Sequence, residues 1–113
     1  MDNGNGIYVS RTDTEEWEPD DEVGGSAHML FDEGDTSKVG LWRADPGPPR
    51  GPSDPVVLPA RETIVVLEGT VRVGIDGETD LDLGPGDMAS MPEGSSIVWD
   101  ADPGCKVVWV YSR

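Results

Sequence analysis

Few residues in this chain can do chemistry, and the one best placed for it is a glutamate. Glu62 opens the stretch Glu62-Thr63-Ile64-Val65-Val66-Leu67, whose β-branched residues favour a strand. Alternate residues of a strand share a face, so Glu62, Ile64 and Val66 point the same way. Two apolar companions make that direction inward. A carboxyl held in an apolar interior has its pKa raised, because burial penalises the charged form. Such a group suits general acid or base work near neutral pH, for example enolisation, cyclisation or elimination. The opposing possibility is an ion pair with Arg43 or Arg72 that merely fixes the fold. The residues admit both.

Trp42, Trp99, Trp109 and Tyr111 offer aromatic faces to a ligand, although tryptophan is also an ordinary filling for a small core. Ile97 and Trp99 share strand parity and so face one side. The expected lining of a small-molecule pocket is Trp42, Arg43, Ile64, Ile97, Trp99 and Tyr111, with Trp109 assigned to the core and Trp17 to a lid packed on the barrel wall. Cys105, after Pro103-Gly104, wants a nearby base to act as a nucleophile; the only histidine is His28, so Cys105 reads as packing. The chain has no Ser-His-Asp pattern and no Gly-rich phosphate loop leading into a helix, and its Asp-rich turns lack calcium-loop spacing.

The elements that must position these groups are short strands. Expected strands cover Ser26–Phe31, Val39–Arg43, Thr63–Leu67, Val71–Ile75, the Leu81/Leu83 segment, Met88–Met91, Ser96–Trp99 and Lys106–Tyr111. Turns are expected at Asp32–Asp35, at Asp76-Gly77 and at Gly84–Asp87. Asp45–Pro55 holds too many prolines for helix or central strand and reads as an ordered loop. Residues 1–13 read as a flexible lead-in and 14–113 as a single all-β barrel with little or no helix.

The 113 residues carry a formal charge of −15. That argues against nucleic acid, which needs clustered Lys and Arg, and against anionic membrane surfaces. The charge suits attraction of a cationic ligand, or simply solubility in a salty cytoplasm. No apolar run is long enough to span a membrane, and Met1–Gly6 has neither the basic start nor the apolar core of a secretory signal. With one cysteine and no internal disulfide, the expected location is the cytoplasm.

Two segments resemble the motifs of the cupin superfamily. Glu62-Thr63-Ile64-Val65-Val66-Leu67-Glu68-Gly69 keeps the Glu and the closing Gly of the usual first motif. Gly86-Asp87-Met88-Ala89-Ser90-Met91-Pro92-Glu93-Gly94 keeps the glycines and proline of the second. The resemblance implies a jelly-roll β-barrel, usually a homodimer, with a metal held by three histidines and the Glu. Here no histidine stands between Asp54 and Arg61, and Ile97 replaces the third. One Glu and a distant His28 are too few for a transition metal that needs three or four ligands, so no metal and no cofactor are expected. Gly40-Leu41-Trp42 before Pro46-Gly47, with Trp99 after the second motif, is similar to small cupins that lack these histidines. Two functions follow as expectations: binding of a small molecule in an aromatic pocket, or a cofactor-free cyclase, isomerase or lyase with Glu62 as general acid or base.

Overall fold

The structure, a computed structural model, describes residues 5–34 and 36–113. Residues 1–4 of the expected lead-in and Asp35 of the expected turn lie outside the described residues. Among the described residues the strands follow in order: β1 (Glu18–Pro19), β2 (Ser26–Asp32), β3 (Ser37–Arg43), β4 (Val56–Val57), β5 (Arg61–Glu68), β6 (Val71–Ile75), β7 (Thr79–Leu83), β8 (Met88–Met91), β9 (Ser96–Ala101) and β10 (Lys106–Ser112). They form two antiparallel sheets, ordered β1-β2-β3-β10-β5-β8 and β4-β9-β6-β7, an all-β architecture. The two-residue strands β1 and β4 have no counterpart in the sequence reading. Each is long enough for only two register pairs, below the length at which side-chain alternation shows.

Alternation decides the rest. In β5 the side chains of Glu62, Ile64 and Val66 are buried, while those between are half-exposed. In β6 Val71 and Val73 are buried and Arg72 is exposed. Asp76 and Gly77, at φ of 53° and 69°, make the tight turn from β6 to β7, where only small or turn-forming residues tolerate a left-handed backbone. The proline loop is tied to β9: Ser53 donates its N–H to the Trp99 carbonyl at 2.8 Å, and its Oγ accepts from the Trp99 N–H at 2.9 Å. Between the sheets Val66, Val71, Val73, Met91, Ile97, Cys105 and Val107 form the filled part of the interior.

The segment before β1 lies along the outer face of the larger sheet. Tyr8 meets Phe31 edge-on, the Ser10 hydroxyl is 2.7 Å from His28 Nε2, and Lys106 Nζ donates to the Thr12 carbonyl at 2.9 Å. Trp17 packs on the same outer wall, with the Arg43 guanidinium 4.3 Å above its ring. Among the described residues no helix is long and apolar enough to cross a membrane.

Candidate functional site

Three strands of the larger sheet build the site in rows. Strand β10 runs between β3 and β5, and its register sets Tyr111 between Lys38 and Glu62, Trp109 between Gly40 and Ile64, and Val107 between Trp42 and Val66. All belong to the inward parity of their strands. Two glycines make room for the indoles. A β-carbon on Gly40 would fall 2.7 Å from Trp109 Cζ2, and one on Gly25 would fall 2.7 Å from Trp42 Cζ2. The Trp42 indole N–H is satisfied by the Gly24 carbonyl at 2.8 Å, so the ring is fixed by packing below and a hydrogen bond at its edge.

These rows line an open-mouthed cavity of about 290 Å³ between the sheets. Trp99 of β9 and Leu58 of the β4–β5 connection close it from the far side, and Asp20 and Glu22 of the β1–β2 connection border it. The connection is ordered: Asp20 Oδ1 accepts the Glu22 and Val23 N–H groups at 2.9 and 3.2 Å. Glu62 lies on the wall with 7% of its surface exposed, and its carboxyl makes no hydrogen bond or ion pair with any described residue. Burial, reinforced by the charges of Glu22 and Asp20, pushes its pKa up to about 8. At neutral pH the side chain is therefore mostly a neutral acid inside an aromatic chamber.

Glu62, Trp42, Ile64, Trp99 and Tyr111 all border this cavity. Arg43 does not. It follows Trp42 on β3, and successive strand residues project to opposite faces, so its side chain leaves the barrel for Trp17. Ile97 does not either. Opposite Val56 on β4 and Ile75 on β6, it is fully buried in the filled core. The proposed pairing of Glu62 with an arginine also fails, since Arg72 bonds Asp82 at 2.9 Å on the outer surface. Trp109, assigned to the core, borders the cavity as well. Lys38 is an addition that parity with Gly40 and Trp42 contained. Asp20 and Glu22 had no signal, because an acidic run reads as solvated until the fold brings it to the mouth.

The metal that cupins commonly carry does not fit these residues. His28 stands on the outer face, with Nδ1 2.9 Å from the Glu16 carbonyl and Nε2 on Ser10. Among the described residues no group of three or more His, Cys, Asp or Glu could hold a metal ion. Cys105 is fully buried, and burial pushes its thiol up to about 11, which makes it inert packing.

No curated protein sequence matches the chain significantly. Solved structures do resemble it. The polyketide cyclase RemF of Streptomyces resistomycificus superposes with a TM-score of 0.70 at 25% identity, over 92% of this chain and 77% of that one. A protein assigned as ethanolamine utilization protein Q of Salmonella typhimurium LT2 gives 0.68 at 24% identity, over 83% and 76%. The DMSP lyase DddQ of Ruegeria pomeroyi DSS-3 gives 0.66 at 18% identity, over 79% of this chain but 47% of that one. Residues 31–108, which include Trp42, Glu62, Ile64 and Trp99 of the cavity wall, match the EutQ-like cupin domain, and the chain belongs to that family.

Proposed function

We propose that this chain binds a small organic molecule in the barrel cavity through aromatic contacts and without a metal ion. The carrying observation is the cavity itself: three indoles and a phenol border a space of about 290 Å³. That volume sits at the small end of ligand pockets, roughly 300–1,000 Å³, so the ligand is compact. The buried aromatic area provides affinity, and the few polar groups on the wall provide orientation. Titration with indole, followed by amide chemical shifts, tests this. Shifts should concentrate at Trp42, Trp99, Trp109 and Tyr111; shifts scattered over the outer sheet face would contradict it.

A second reading, proton transfer by Glu62, is favoured by one observation: a carboxyl with a pKa of about 8 and no bonding partner among the described residues. A group poised near the working pH can both take and return a proton, which is what enolisation and ring closure require. The likeness to a polyketide cyclase supports the same class. The test is deuterium incorporation into the methyl group of acetophenone. Catalysed exchange should rise with pH through about 8, as Glu62 becomes a carboxylate base. Glu62→Gln should lower it by on the order of a hundredfold. Exchange unaffected by the substitution would remove Glu62 from the chemistry.

A further inference from the structure

We infer that the ligand of this cavity is a small organic cation, held between the rings of Trp99, Trp109 and Tyr111 and the carboxyl groups of Asp20, Glu22 and Glu62. The inference rests on the small-molecule reading and names its chemical class.

Charge comes first. Three acid groups border the cavity against one ammonium, that of Lys38, which is itself engaged in an interaction. Among the described residues, the charged or titratable groups that border the cavity with Glu62 are Asp20 and Glu22 from the β1–β2 connection, Lys38 from β3 and Tyr111 from β10, while Met91, its register partner on β8, is apolar. An anion would meet the carboxylates and the field of a chain with net charge −15; a cation would be drawn in by both.

The walls select the kind of cation. Aromatic faces are electron-rich and attract a positive charge that has shed its water, which a quaternary or substituted ammonium does readily and a metal ion does not. Glu62 supplies the remaining element. It is more than nine-tenths buried, borders the cavity and has no bonding partner among the described residues, so its ionised form lacks a countercharge from any described side chain. An entering cation provides that countercharge. The carboxyl then ionises, and one proton leaves to solvent for each cation bound by the protonated form. A neutral aromatic ligand would use the rings but leave the acid groups without purpose.

Isothermal titration of the intact chain with choline, with its uncharged isostere (a quaternary carbon in place of the nitrogen) and with indole tests this. Choline should bind at least about tenfold more tightly than the isostere at about pH 8.5. Its affinity should rise by about tenfold between about pH 6.5 and pH 8.5, with proton release seen as a dependence of the heat on buffer. Glu62→Gln should remove the pH dependence of choline binding. Because the unsubstituted chain gives the first two results, the test survives a variant that folds poorly. Isostere binding equal to choline at every pH, or indole binding without choline binding, would overturn the cation inference alone. If none of the three binds, the small-molecule reading falls with it.

Discussion

Strand β5 carries a glutamate near each end, Glu62 second and Glu68 last, and the two have opposite fates. Glu68, at one end, follows the register shift and is exposed. Its β10 partner is Lys106, which it pairs with at 3.1 Å in solvent, its side chain 62% exposed. Glu62, at the other end, has Tyr111 as its β10 neighbour and points into a hollow bordered by indoles. Unbroken alternation would put both on one inward stripe, but the pairing with β10 shifts register between Val66 and Glu68 and turns Glu68 to the outer face beside Lys106. Where the ladder shifts, the carboxyl is delivered to water; where alternation runs on unbroken between standing rings, it stays inside and burial favours its neutral form.

The largest expected effect breaks the comparison by pH. The ordinary carboxyl pKa is 4.5, and that of Glu62 in the fold is about 8, so between these values the folded chain keeps a proton that the unfolded chain has released. The stabilising contribution of neutral Glu62 is complete below about pH 4.5 and is lost as pH rises to about 8. Relative to Glu62→Gln, urea unfolding should show the wild type losing on the order of 5 kcal/mol across that window. Equal pH profiles for the two would show the group to be ordinary.

Next come two inward neighbours on β9. Ile97→Ala empties a fully buried position and should cost about 2–5 kcal/mol of stability, read as a lower urea midpoint. Trp99→Ala, two residues on, opens a wall that already faces a void and should lose roughly 1–3 kcal/mol of indole affinity. The smallest effect belongs to Glu68→Gln, where an exposed ion pair is worth at most about 1 kcal/mol and the pH profile of stability should keep its shape. A large loss there would mean that the filled end depends on charge.

Much of this was legible in the residues, for reasons that also mark where legibility stopped. Strands β6 and β7 announce themselves by alternation, β5 and β10 by β-branched and apolar runs of strand length, and the inward direction of Glu62 follows from its shared parity with Ile64 and Val66. The cupin frame carries through because its turns demand glycine and proline. Arg43 went astray although the same parity rule, applied to Trp42 beside it, sends it outward. Ile97 went astray because parity says which way a side chain points and not whether the space there is full. Asp20 and Glu22 reach the cavity only through a connection whose path depends on two glycines, Gly24 and Gly25, at positive φ. No local pattern of charge encodes that.

Everything distinctive about the hollow end turns on the ionisation state of one side chain. The most direct measurement is the carboxyl carbon shift of Glu62, assigned by comparison with Glu62→Gln and followed against pH in the ligand-free protein. A midpoint near 8 is the expected result. A midpoint near the ordinary 4.5 would mean that water or a partner reaches the carboxyl, and the picture of a neutral acid in an aromatic chamber would be wrong.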